Sequence, residues 1–142
     1  MNKINKLFII GLLIFINSCE VYEEDTFISI RKPKQRLTGI WKLDKIENKG
    51  EDFTDEYFGI NKDLTIEYIY NETYERYSND TLSSYGIWSL AGESENELIH
   101  IPVDDWENEI YTIKRLQRNN LWVTGYDDYF LDSLLFMYTR IE

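Results

Sequence analysis

The chain has 142 residues, 43% of them hydrophobic and 29% charged, with a formal net charge of −11 and a pI near 4.5. That length suits one domain plus a targeting segment. The charged fraction and 15% aromatic content exclude a multi-span membrane protein and wholesale disorder, and the acidic surplus makes nucleic acid a poor partner, since phosphate binding needs Lys and Arg.

Residues 1–18 read as a secretory signal peptide. Lys3 and Lys6 supply the positive start, and Leu7 to Ile16 form an apolar run broken by Gly11. That run is too short to cross about 30 Å of hydrocarbon as a helix. It ends at Ile16-Asn17-Ser18-Cys19, which resembles the lipobox of bacterial lipoproteins, and Cys19 is the single Cys of the chain. The resemblance implies cleavage before Cys19 and its acylation with palmitate-type chains, each buried CH₂ adding about 0.8 kcal/mol of membrane attachment. Cleavage leaves 124 residues, and loss of Lys3 and Lys6 takes the net charge from −11 to −13. An anionic leaflet repels such a charge, so the lipid rather than the domain surface is expected to hold the protein at the membrane. The expected address is the cell envelope, anchored to the outer membrane. Glu20-Val21-Tyr22-Glu23-Glu24-Asp25 resembles an export signal to the outer surface and reads equally well as a solvated tether.

Residues 19–36 hold the lipidated Cys and a polar linker with Pro33 and the bases Arg31, Lys32, Lys34 and Arg36. From Leu37 the pattern is period-two alternation in short runs bounded by Gly, Asn and Asp. It predicts strands near 37–47, 63–70, 72–78, 81–90, 96–102, 109–116, 120–126 and 133–141, with one helical turn within Phe53–Phe58 after Asp52 or Thr54 as a cap. Consecutive short strands joined by tight turns favour an all-β, antiparallel up-and-down barrel over residues 37–142, because closure removes exposed edges. A two-sheet sandwich is the alternative, and it needs crossovers that such short turns do not suggest.

Leu37-Thr38-Gly39-Ile40-Trp41-Lys42-Leu43 resembles the opening strand of the lipocalins and of lipocalin-like domains in bacterial lipoproteins. Tyr85-Gly86-Ile87-Trp88, Leu121-Trp122-Val123 and a closing Tyr138-Thr139-Arg140 agree with it. The resemblance implies an eight-stranded barrel in which Gly39, Trp41 and Arg140 form a structural plug, with the Arg140 guanidinium over the Trp41 indole. It implies a lid after the first strand, from Asp52, Phe53, Tyr57 and Phe58.

Chemistry is sparse. No Gly-x-Ser-x-Gly elbow, phosphate-binding Gly loop or His-Glu-x-x-His motif is present, so no enzyme is expected. One His and one Cys leave little for a metal, and no cofactor is expected. His100 should project opposite Ile99 and Ile101; facing the interior, it could hydrogen-bond a ligand's polar group. The acidic clusters at Asp104–Glu109, Glu93/Glu95/Glu97 and Asp127/Asp128/Asp132 match no calcium loop and read as solvated. Aromatic side chains suit a pocket as well as a core. On the face shared with Trp41 and Arg140, the inward candidates are Leu43, Tyr68, Tyr70, Trp88, Tyr111, Phe136 and Tyr138. The candidate ligand residues are Phe53, Tyr57, Phe58, Tyr68, Tyr70, Trp88, His100, Tyr111 and Phe136. The expected function is non-catalytic binding of a small, partly apolar molecule, the membrane being met through the N-terminal lipid. A side-chain-filled barrel serving as an envelope structural or protein-interaction module is the second expectation.

Overall fold

β-Branched and aromatic residues at every second position fit a pleated surface wetted on one side, and strands of this kind make up almost the whole domain. The computed structural model describes residues 31–59, 63–104, 107–128 and 130–142. The signal segment, Cys19 and the acidic stretch behind it lie outside the described residues.

The elements in chain order are helix α1 (Pro33–Leu37), strand β1 (Gly39–Asn48), strand β2 (Glu51–Asp52), helix α2 (Thr54–Phe58), and then seven strands. These are β3 (Leu64–Tyr68), β4 (Thr73–Ser78), β5 (Thr81–Ala91), β6 (Glu97–Pro102), β7 (Glu109–Leu116), β8 (Asn120–Asp127) and β9 (Asp132–Arg140). From β3 to β9 each strand pairs antiparallel with the next, and β1 pairs with β3 on one side and with β9 on the other. The pairing from Trp41↔Arg140 to Glu47↔Leu135 closes the sheet into an eight-stranded barrel. The two-residue β2 stands outside it, as a short hairpin on the end of β1.

Up-and-down winding sorts the connections into two ends. Helix α1, the C-terminus and the β3–β4, β5–β6 and β7–β8 turns share the end where β1 begins. Helix α2 and the β4–β5, β6–β7 and β8–β9 connections share the other. The first end is packed shut by Leu37, Trp41, Leu116 and Leu121, all fully buried.

Two expectations need correction. In place of the expected linker and strand start, residues 33–37 form a helical turn. Pro33 opens it at a position that tolerates a missing N–H, and Leu37 turns into the core. Tyr70 was expected inside and is 57% exposed. Strand β3 ends at Tyr68, so the alternation that would have carried Tyr70 inward stops, and its ring instead lies under the Lys34 ammonium at 4.9 Å. Leu43, Tyr68, Trp88 and Phe136 are buried, and Tyr111 and Tyr138 pack against them. Register shifts at Leu43/Lys45 and Ile113/Arg115 explain why Leu43 and Ile46, and Ile113 and Leu116, face the core although three residues apart.

Candidate functional site

Strands β3, β4, β6 and β7 deliver a polar cluster to the barrel interior. Inward parity on β4 brings Tyr74 and Arg76 to one face; on β7 it brings Glu109, Tyr111 and Ile113. His100 on β6 stands opposite Trp88 on one side and Glu109 on the other. The Arg76 guanidinium grips Glu109 in a fork: Nη1 donates to Oε1 at 3.1 Å and Nη2 to Oε2 at 2.6 Å. Such a bidentate pair is held in both distance and angle. The Tyr111 hydroxyl donates to Glu109 Oε2 at 3.1 Å.

His100 is 2% exposed and lies between these charges. Its Nδ1 is 3.1 Å from Glu109 Oε2 and 3.2 Å from Arg76 Nη2, and its Nε2 is 2.9 Å from the Tyr68 hydroxyl. With the proton on Nδ1, His100 donates to Glu109 and accepts from Tyr68. That tautomer gives the buried Tyr68 proton an acceptor and Glu109 a donor. Tyr74 stacks on the imidazole at 4.5 Å between centroids.

The electrostatics follow from burial and pairing. Burial pushes the His100 imidazole below its ordinary value and outweighs the support of Glu109, so His100 is neutral near pH 7. Burial pushes the Glu109 carboxyl up, but hydrogen bonds from His100 and Arg76, with the Arg76 charge, leave it well below the usual carboxylate range. Burial alone would lower Arg76; the Glu109 carboxylate more than offsets this and holds it fully protonated. Burial raises the Tyr68 and Tyr111 hydroxyls well above 10 and pushes Tyr138 up to about 12. The ion pair is not sealed: the Arg76 side chain is 19% exposed and that of Glu109 32%.

An aromatic layer lies toward the α2 end. Phe53 meets Phe130 edge-on at 5.0 Å, and Tyr57 packs 5.5 Å from Phe130 and 5.7 Å from Phe136. The Tyr57 hydroxyl donates to Asp127 Oδ2 at 2.9 Å, and Asp127 Oδ1 accepts the Phe130 N–H. The helix is capped by neither expected residue: Phe53 stands at its N-cap without a side-chain bond, and Asp52, one residue earlier, accepts the Thr54 N–H at 3.1 Å. Phe58 ends α2, and its side chain lies outside the described residues. At the opposite end the Arg140 guanidinium lies 4.3 Å from the Trp41 ring centroid. Its nitrogens donate to the carbonyls of Thr38 at 2.6 Å and Arg118 at 2.8 Å, and to that of Arg36. The Trp41 indole N–H donates to the Leu37 carbonyl at 2.7 Å. Gly39 has φ 137°, and a Cβ there would collide with the Arg140 guanidinium. Trp88 donates to the Ile69 carbonyl at 3.1 Å and meets Tyr68 edge-on.

The structure thus joins Tyr68, Trp88, His100, Tyr111 and Phe136 in one interior and sets Phe53 and Tyr57 over it, while Tyr70 stands apart. Sequence reading missed Arg76 altogether and placed Glu109 in a solvated acidic loop. Glu109 opens the predicted strand 109–116 and is the first residue of β7; its alternation with Tyr111 and Ile113 is the signal that turns its side chain inward. Two other acids leave the solvated reading: Asp127 accepts from Tyr57 and Phe130, and Asp132 pairs with Lys49 at 2.8 Å. Glu93, Glu95, Glu97, Asp104, Glu107 and Asp128 are exposed. Among the described residues no group of three or more His, Cys, Asp or Glu could hold a metal ion.

The closed, eight-stranded antiparallel meander is compatible with a lipocalin-like fold. No protein-family model matches the chain, and no curated protein matches its sequence.

Proposed function

We propose that the chain is an envelope lipoprotein, anchored through acylated Cys19, whose barrel binds a small and partly apolar molecule without catalysis. One observation carries the binding reading: Arg76, Glu109 and His100 meet inside the barrel while the ion pair keeps part of its surface accessible. A polar cluster walled by aromatic rings suits a ligand with a polar head and an apolar body. Native mass spectrometry of the domain purified from its own host should show a reproducible added mass that leaves on denaturation. A bare mass that persists after incubation with host lipid and metabolite extracts sinks the binding reading. Anchoring has its own test, since Cys19→Ala should move the protein to the soluble fraction.

A filled barrel acting as a structural or protein-interaction module is the second reading. The observation favouring it is that the cluster satisfies itself: Glu109 receives Arg76, Tyr111 and His100, and Tyr68 completes His100.

A further inference from the structure

The net charge of the chain conceals a division between the two ends of the barrel. Around the α2 end stand Asp52, Asp55, Glu56, Asp80, Asp104 and Asp128, with Lys49 the one base in those connections among the described residues. The other end gathers bases from three separated stretches of sequence: Arg31, Lys32 and Arg36 at α1, Arg118 in the β7–β8 turn, and Arg140 at the end of β9. The fold ties these stretches together, since Arg36 Nη1 donates to the Leu116 carbonyl and Arg140 donates to carbonyls of the other two. Arg140 is met there by backbone oxygens, Glu142 among them at 3.5 Å, and by the Trp41 ring, with no carboxylate side chain bonded to it among the described residues. Burial, and then the neighbouring Arg31 charge, lower its affinity for the proton. Arg31, Lys32 and Arg118 are exposed. The acids at this end are Glu72, taken by Lys34 at 2.6 Å, Glu93, Glu95 and Glu97 at the β5–β6 turn, on strands opposite β1 and β9, and Glu142, so the positive patch is the part of this end formed by α1, the β7–β8 turn and the end of β9.

We propose that this basic end is the membrane-facing surface of the domain, seated on the phosphate headgroups of anionic lipid. The inference rests on the anchoring reading for its orientation: α1 is the described element nearest in sequence to Cys19, and the described chain enters the barrel at the basic end. The acidic end, with its aromatic lid and interior cluster, then faces away from the membrane. Long-range repulsion by the acidic pole is damped within a Debye length of about 8 Å at physiological salt, whereas the bases act in contact with the headgroups.

The test is amide hydrogen exchange on the mature protein bound to vesicles of phosphatidylcholine alone and of phosphatidylcholine with phosphatidylglycerol. The expected result is added protection at α1 and the Gln117–Asn119 turn on the anionic vesicles only, with none at Asn79–Asp80. The triple variant Arg31→Glu/Lys32→Glu/Arg118→Glu should lose it, because each cation near the surface contributes about five-fold in affinity. Protection identical on neutral vesicles overturns the proposal. So does protection at the α2 end, or on the outer apolar face of Ile87, Ile101 and Ile110. Intact mass reads the acylation of Cys19 separately. A chain found without acyl groups refutes the anchor, yet it can be added to the same vesicles, where absence of the α1 and β7–β8 pattern overturns the present proposal by itself.

Discussion

Glu109 and Arg76 show how much a single inward charge depends on its partner. Removing one member of a largely buried pair strands the other, at a cost of about 3 kcal/mol, whereas replacing both with apolar groups of similar volume costs little. Glu109→Leu should destabilise the domain more than Glu109→Gln, as read from urea midpoints, because Gln keeps an acceptor oxygen for Arg76, His100 and Tyr111 whereas Leu strands all three donors. His100 and Glu109 also set the acid limb of stability. The folded imidazole lies below its ordinary 6.5, so the unfolded chain takes the proton first and stability falls as pH drops through 6.5. The folded Glu109 carboxyl lies below its ordinary 4.5, so a second loss begins as pH drops through 4.5. Each group contributes at most about 1.4 kcal/mol per pH unit. Thermal melts should be flat from pH 7 to about pH 9, below the range where unfolded tyrosines ionise, and show two successive declines on the acid side; His100→Gln should remove the first and keep the second.

At the scale of elements, the two ends are closed by different means. The α1 end is fastened through Arg140, which reaches Thr38, Arg118, Arg36 and the Trp41 ring. Arg140→Ala should cost about 2 kcal/mol in a denaturant melt through the lost cation–π contact and stranded carbonyls, with any bound mass in native spectra unchanged. The α2 end is held by rings and one hydrogen bond from Tyr57 to Asp127. Tyr57→Phe should cost about 1 kcal/mol, and exchange of the α2 amides should quicken while β3–β9 amides stay as they were. Strand positions were legible because alternation is local: the predicted 109–116 and 81–90 match β7 and β5 to within a residue. Helix α1 was not legible. Arg31 to Arg36 looks like a polar tether until Leu37 is seen to fill the barrel end.

On the scale of the whole molecule, closure decides what is inside. The barrel buries one face of eight strands and leaves the other to solvent, so a residue's parity fixes its environment until a strand ends or a bulge intervenes. Tyr70 and Glu109 mark the limits of that rule. Tyr70 lies two residues past Tyr68, where β3 has ended, and Glu109 is the residue at which β7 begins. Nothing in the alternation marks where β3 ends, which draws Tyr70 inside; the start of β7 is marked at 109, but the acidic run before it outweighs the parity that turns Glu109 inward.

The sequence by itself determined the strand order, the antiparallel meander and the one-turn helix near Phe53–Phe58, since these follow from alternation and turn residues a few positions apart. Only the tertiary structure decided the Arg76–Glu109–His100 junction, whose members lie 24 and 9 residues from His100 along the chain and meet through the registers of β4, β6 and β7. It also divided the charge between two ends, which a net value of −11 cannot express. Both outcomes depend on which strands are neighbours and which way each runs, and that is a property of the closed sheet rather than of any segment within it.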